Sequence, residues 1–405
     1  MPGAPRQGAG DGRDAGAGAA GARTRLRLAA LGHSAHPVSG EESRTTQDRR
    51  LRLPLIEARG SHAEIGRQVG EAAREQIRRQ VAYYEEHIEW LAGMPFAAAE
   101  GRALGLLGFA ERALPRHVEE LAGMAEGAGV PFEKLLVLNC GEEVLCAERP
   151  AAAASQARPT DRCTCLAVSA PGRTVVGHNE DWIEDDVENM VLLSLTVPDG
   201  TRILSLTGAA YLPMCGLNSH GIAFYGNTVY ARDERPGVPN VFKHRRLLES
   251  ATREEADSWA RMPGRARGSN HLNARAGGEI WDVEVSAARD VTVEAGRWLV
   301  HTNHFTVPEL QDVERSESAG SRLRLERARE LVAEGLASGD DPFDLVAAVL
   351  RDHANAPTSI CAHPVADDPD HAPTTGSVIV ELEERRMHVC AGRPCENPAG
   401  VVALD

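Results

Sequence analysis

The 405-residue sequence predicts an α+β fold, with a helix-rich first part and then a sandwich of two antiparallel sheets inside and helices outside. Three observations carry this. Helical periodicity dominates from about residue 61 to 146. From Cys163 onward, short strand-like runs bounded by turn residues come in two groups. Helical segments lie between and around those groups, and there is no repeat of fixed period.

In chain order, residues 1–50 hold Ala, Gly and Arg with few large apolar groups, and are expected to form a disordered leader. Order begins near "LPLIEARG". In "SHAEIGRQVGEAAREQI", Ser61 and Glu64 form a capping box, while Ile65, Val69, Ala72 and Ile77 fall on one stripe. Further helical blocks are expected at 97–128 and 131–146. "ERPAAAASQARPTD", 148–161, reads as a loose, exposed connector. Strands are expected at 164–169, 174–179, 190–197, 202–207 and 221–230, then a loop and helical turns over 241–260. Strands resume at 270–276, 279–286, 290–295 and 297–303. Helices at 319–335 and 342–352 precede closing strands at 374–381 and 386–391. The expected division is a leader 1–50, a helix-rich fragment 51–162 and a strand-rich catalytic part 163–405.

The formal charge of −15 argues against a nucleic-acid or anionic-membrane partner. Lys134 and Lys243 are the two lysines, which thins out lysine chemistry, and a P-loop is absent. The eight cysteines are scattered through a long chain, which suggests free thiols in a reducing compartment and a cytoplasmic protein. Cys163-x-Cys165 is too tight for a metal or redox Cys-x-x-Cys spacing. No apolar run reaches the ~18 residues of a membrane helix.

"DRCTCLAVSAPGRTVVGHNEDW", 161–182, reads as a hairpin with Cys163 at its head. Its register is open. A three-residue loop, Pro171-Gly172-Arg173, sets Cys163 opposite Asp181 on one face. A two-residue loop sets it opposite Glu180 and turns Asp181 away. A carboxylate beside a thiolate raises both pKa values unless a cation lies between them. Scission before Cys163 would supply that cation as a new α-amino group, whose pKa starts at about 7.7–8.0. The amine could take the thiol proton and later return it to a leaving amine, with Asp181 holding it in place. The connector before Cys163 is where a cut is sterically easy. The plainer alternative is an ordinary strand cysteine, with Asp181-Trp182 capping a turn.

"CGLNSHGIAFYGNTVY" puts Asn218 and Gly221 in a turn and Asn227 one strand later; "WLVHTNHF" ends a strand in His301-Thr302-Asn303-His304. A strand-end asparagine is a good oxyanion donor, although Asn218 reads first as a turn residue. His301 and His304 face different ways with no carboxylate or cysteine close by, so no metal site is expected. In "SAGSRLRLERARELV", Arg322, Arg324 and Arg327 fall in the first turns of a helix, where cations oppose the dipole. That placement points to a partner for one of them, a substrate carboxylate or an internal acid, with Arg322 and Arg327 on a solvated face. Cys361, Cys390 and Cys395 are expected to be packing thiols.

Taken together, residues 53–398 resemble the acyl-coenzyme A:6-aminopenicillanic acid acyltransferase family, self-cleaving N-terminal nucleophile (Ntn) enzymes related to isopenicillin N acyltransferase. The resemblance rests on Gly60-Ser61-His62-Ala63-Glu64-Ile65-Gly66 with Gly70, on Cys163-Thr164, and on Gly177-His178-Asn179-Glu180-Asp181-Trp182. Gly216 to Gly221, Thr302-Asn303-His304-Phe305, and Ser321 with Arg324 complete it. It implies a four-layer αββα sandwich and autocleavage between Arg162 and Cys163. It also implies Cys163 as nucleophile, Asp181 positioning its amine, Asn303 in the oxyanion hole with Asn227 as second donor, and Arg324 orienting substrate or catalytic groups. Thr164 and Asn179, in the same motifs, are expected with Asn227 and Arg324 to bind or orient substrate. Arg162 stands where family members commonly carry glycine, and a bulky residue there is expected either to slow the N→S acyl shift or to change its geometry.

The expected activity is cleavage or transfer of an acyl group at an amide bond of a small N-acyl amino compound or natural product, through a thioester on Cys163. Hydrolysis is favoured because nothing reads as a coenzyme A site. No cofactor is expected, and the two fragments are expected to stay associated. The alternatives are an unprocessed binding protein of the same fold, or an intact-chain thiol peptidase with His178, His301 or His304 as base.

Overall fold

The computed structural model describes residues 53–145, 163–315, 319–366, 368 and 371–404; the leader 1–50, Cys146, the connector 148–161 and Arg162 lie outside them. Among the described residues the chain opens with β1 (Leu55–Arg59) and six helices: α1 (His62–Ala72), α2 (Arg74–Ala92), α3 (Phe96–Ala113), α4 (Pro115–Ala128), α5 (Phe132–Asn139) and α6 (Gly141–Leu145). The capping box starts α1 as expected: Ser61 Oγ accepts from Glu64 N, and Glu64 Oε2 accepts from Ser61 N at 2.8 Å. Gly66 and Gly70 let α1 lie directly on α4, since a Cβ at Gly66 would sit 1.8 Å from the Glu120 carbonyl oxygen.

Next come β2 (Thr164–Ala170), β3 (Arg173–Asp181), a 3₁₀ turn at Glu184–Asn189, β4 (Met190–Thr196), β5 (Arg202–Gly208), β6 (Gly216–Asn218) and β7 (Ile222–Tyr225). Then follow α7 (Asn240–Leu247), α8 (Arg253–Ala260), β8 (Leu272–Arg275), β9 (Glu279–Val285), β10 (Asp290–Glu294) and β11 (Trp298–His301). Helices α9 (Pro308–Gln311), α10 (Ala319–Ser338) and α11 (Pro342–Leu350) precede β12 (Thr374–Glu381), β13 (Arg386–Ala391) and β14 (Gly400–Ala403).

The strands form an eight-stranded sheet, β1-β4-β5-β6-β7-β8-β9-β10, and a six-stranded sheet, β11-β2-β3-β12-β13-β14. Their facing sides meet in one apolar layer that includes Cys165, Ala167 and Val176 from the smaller sheet and Leu192, Leu204 and Ala223 from the larger. Behind the smaller sheet, Leu166, Val168 and Val175 pack on Leu325, Val346 and Leu350 of α10 and α11. Behind the larger sheet, Leu193, Ile203 and Trp281 pack on α1–α5, α7 and α8. Helix, sheet, sheet and helix are thus the four layers of an αββα sandwich, as the sequence predicts, because each sheet has two apolar faces to cover.

Four details differ from expectation. β1, β6 and β14 are additional strands, and β1 pairs with β4 in parallel, so the larger sheet is not wholly antiparallel. The run 221–230 is strand only to Tyr225, and the strand expected to reach residue 303 stops at His301. Among the described residues, no helix is long and apolar enough to cross a membrane.

Candidate active site

The β2–β3 turn holds two residues, Pro171 and Gly172, since Ala170 pairs with Arg173. Gly172 has φ 75°, and proline followed by a positive-φ glycine is the type II pattern. This register pairs Thr164 with Asn179, so residue 163 falls opposite Glu180. Of the two open registers, the chain takes the one that turns Asp181 away from the thiol. Period-two alternation does the rest. Cys163, Cys165, His178 and Glu180 face the larger sheet; Thr164, Gly177, Asn179 and Asp181 face α10 and α11.

On the inner face Cys163 is 4% exposed, and its Sγ donates to Glu180 Oε1 at 3.4 Å. The other Glu180 oxygen meets His178 Nε2 at 3.0 Å. His178 leans on Tyr225 of the opposite sheet, ring centroids 5.2 Å apart. Cys165 lies deeper: burial pushes its thiol well above the ordinary range, and its Sγ donates to Asn227 Oδ1 at 2.8 Å. The Asn227 Nδ2 is buried and has no hydrogen-bond partner among the described residues.

On the outer face the contacts are dense. Asn179 Nδ2 donates to the Leu350 and Ile360 carbonyls, each at 2.9 Å, and its Oδ1 accepts from Ser377. Asp181 Oδ1 accepts from Thr374 Oγ1 at 2.6 Å. Arg324 is 1% exposed and ties three segments together. Its Nη1 donates to the Cys163 carbonyl at 2.7 Å and to Thr164 Oγ1 at 2.9 Å; its Nη2 donates to Asn303 Oδ1 at 2.9 Å. Asn303 Nδ2 in turn donates to the Thr228 carbonyl at 3.2 Å. Cys163, Thr164, Asn303 and Arg324, far apart in sequence, are therefore one buried cluster.

Other sequence candidates are placed elsewhere. Asn218 fixes the end of α7: its Nδ2 donates to the Leu248 and Ser250 carbonyls and its Oδ1 accepts from His220 N and Ile222 N. His301 does have carboxylates nearby, contrary to the sequence reading, because β9 brings Glu284 to 3.1 Å and Asp282 to 3.8 Å. Burial opposes its charge, but the two acids outweigh it and raise the His301 pKa. His304 hydrogen-bonds Ser321 Oγ at 2.7 Å, and burial first, then His301, lower its pKa to about 3. Arg322 and Arg327 are not simply solvated: they pair with Glu314 at 3.1 Å and Asp352 at 2.9 Å.

A cleft of about 1000 Å³, counting its open mouth, has Glu180, the hydrogen-bond partner of the Cys163 thiol, in its wall. Trp182, Tyr211 and Met214 line it, together with Glu142, Glu143 and Asp186. Burial, then Glu142, raises the Glu143 pKa to about 7; burial raises Asp186 to about 6. Asp186 Oδ1 accepts from Gln80 at 2.9 Å, while its buried Oδ2 has no partner among the described residues. The sequence reading missed this acidic wall. The signal was Glu142-Glu143 set inside the apolar run "LLVLNCGEEVL".

This geometry can be set beside known proteins. The chain is 26% identical, over 85% of its length and 93% of the relative's, to the 40 kDa form of acyl-coenzyme A:6-aminopenicillanic-acid-acyltransferase from Emericella nidulans. It is 27% identical to the beta-alanyl-dopamine/carcinine hydrolase of Drosophila melanogaster over 51% of its length and 57% of that protein. Among solved structures, penicillin V acylase from Agrobacterium tumefaciens is similar over 56% of this chain and 82% of its own, at 14% identity and a TM-score of 0.38. The first two relatives are, by name, an acyltransferase and a hydrolase. The profile of the family described as acyl-coenzyme A:6-aminopenicillanic acid acyl-transferase matches residues 168–396, more than half of the sequence, and the chain belongs to that family.

Proposed function

We propose that the protein is an autoprocessed N-terminal-cysteine amidohydrolase whose nucleophile is Cys163. The observation that carries this is the Arg324 clasp, which holds the Cys163 carbonyl while the thiol faces a cleft through Glu180. Scission between Arg162 and Cys163 gives the α-amine that serves as base. Asp181 faces away from the thiol but lies one step beyond its partner Glu180, which suits it to hold a main-chain amine.

In the reaction the amine takes the Cys163 proton and the sulfur adds to the substrate carbonyl. Asn227 Nδ2 is a donor available to the developing oxyanion, and Asn303, tied to Thr228 and Arg324, orients the nucleophile from behind. Thr164 and Asn179 position the strand heads. Collapse of the intermediate expels the amine product, which takes its proton from the ammonium, and leaves a thioester that water resolves. No Lys, Arg or His lines the cleft among the described residues, so it offers no cation to a phosphate-rich acyl donor, which favours hydrolysis over transfer. A small N-acyl amino compound, neutral or cationic, suits it. The buried layer joining α1–α5 to the larger sheet would keep the two fragments together.

Intact-mass measurement tests this. The wild type should give two fragments, one beginning at Cys163, and Cys163→Ala a single inactive chain of 43.5 kDa. An active wild type with residues 162 and 163 still joined would overturn it. His178 would then be the candidate base of an intact-chain thiol enzyme, through Glu180.

A further inference from the structure

We infer that His353, Cys361, His363 and Cys395 form a structural zinc site, separate from the catalytic thiol and independent of the reaction assigned to it. One donor atom from each residue lies within 4.8 Å of the other three. The Cys361 and Cys395 sulfurs are 3.5 Å apart, the Nε2 atoms of His353 and His363 are 3.1 Å apart, and His363 Nε2 is 3.2 Å from Cys395 Sγ.

Tetrahedral zinc with Zn–S of about 2.3 Å and Zn–N of about 2.0–2.1 Å sets edges of about 3.8 Å for S–S, about 3.4 Å for N–N and about 3.6 Å for N–S. The observed edges run a few tenths of an ångström inside these. Protons alone serve the arrangement poorly. His363 Nε2 has one hydrogen or one lone pair, yet His353 Nε2 lies 3.1 Å and Cys395 Sγ 3.2 Å from it. A central cation satisfies all four donors at once, and two thiolates with two imidazoles suit Zn²⁺ above harder ions. The outer shell is also built. His363 Nδ1 is 3.4 Å from Glu396 Oε1, and Glu396 is held by Arg393 at 2.7 Å, the carboxylate–histidine arrangement that orients a metal-bound ring. Four protein donors leave no open position, so the site is structural.

Its place in the fold gives it a use. The ligands join the segment after α11 to the loop after β13. The Ile360 carbonyl in that segment accepts from Asn179; Ala362 N donates to Thr374 Oγ1, which donates to Asp181. Zinc would pin the layer behind both β3 side chains. Cys361 and Cys395 are then ligands, not the packing thiols the sequence suggests; Cys390, buried against the Gly392 carbonyl, keeps the packing role.

The full-length protein, purified without chelator, should hold about one Zn²⁺ per chain by elemental analysis. Replacement by Co²⁺ should give the intense visible absorption of a tetrahedral thiolate complex. Cys395→Ser and His353→Asn, both at exposed positions, should each lose the metal and the cobalt spectrum and lower Tm by several degrees, while Cys163→Ala keeps both signals. Zinc well below one equivalent with no cobalt spectrum, retention of zinc by both ligand variants, loss of it in Cys163→Ala, or a Cys361–Cys395 disulfide in peptides mapped without reductant would each overturn the site.

Discussion

Glu180 and Asp181 are adjacent carboxylates on one strand, and their surroundings share almost nothing. Glu180 looks inward, touches the Cys163 thiol and His178, and borders the cleft. Asp181 looks outward, is fully buried, and takes a short hydrogen bond from Thr374 in the layer braced by the Ile360–Ala362 segment. The difference comes from one residue in the turn. With Pro171-Gly172 as the whole loop, alternation sends the two acids to opposite faces. The inner face thus meets the thiol side chain and the cleft, and the outer face meets main chain and scaffold.

The sharpest way to break this comparison is Asp181→Asn. The amide keeps an oxygen for Thr374, so Tm should stay near that of the wild type. Activity should fall by about 10²–10⁴-fold, the usual scale for losing a group that supports proton transfer. Activity within about tenfold of wild type would remove Asp181 from the mechanism. Glu180→Gln should cost less, about tenfold or under, and act on the thiol directly. A carboxylate next to a thiolate disfavours it, so removing the charge should make Cys163 alkylate faster at neutral pH. Slower alkylation would mean that Glu180 assists thiol ionisation instead.

The smallest effect on chemistry belongs to Gly177→Ala, on the outer face two residues before Asn179. An added Cβ would lie 2.4 Å from Val346 Cγ1, so overpacking should cost about 1–3 kcal/mol in denaturant unfolding. Turnover of the folded protein should change by less than about twofold. A large loss of turnover at unchanged stability would show that the outer face does more than support.

Much of the fold is legible in the sequence. The Ser61–Glu64 box, the β2–β3 hairpin, the ordered helices and strands, and the order of the short motifs all depend on residues within a few positions of one another. The cluster Cys163, Asn303 and Arg324 is readable only through the family resemblance, since its members come from β2, the end of β11 and α10. The acidic wall escapes a linear reading because α6 and the 3₁₀ turn carry it to the cleft from opposite sides of the connector. The carboxylates around His301 are hidden for the same reason: Glu284 arrives on another strand.

On their own, then, the residues specified most of the elements and their apolar faces, and singled out Cys163 as the candidate nucleophile. Capping, turn formation and alternation are near-neighbour effects, and short-range pattern carries them fully. Folding in three dimensions chose which acid meets the thiol, what charge lines the cleft, and that His353 and Cys395 share a corner. Those outcomes turn on a single-residue register and on contacts closed across long loops, where many pairings satisfy the same local pattern and only the packed sandwich selects one.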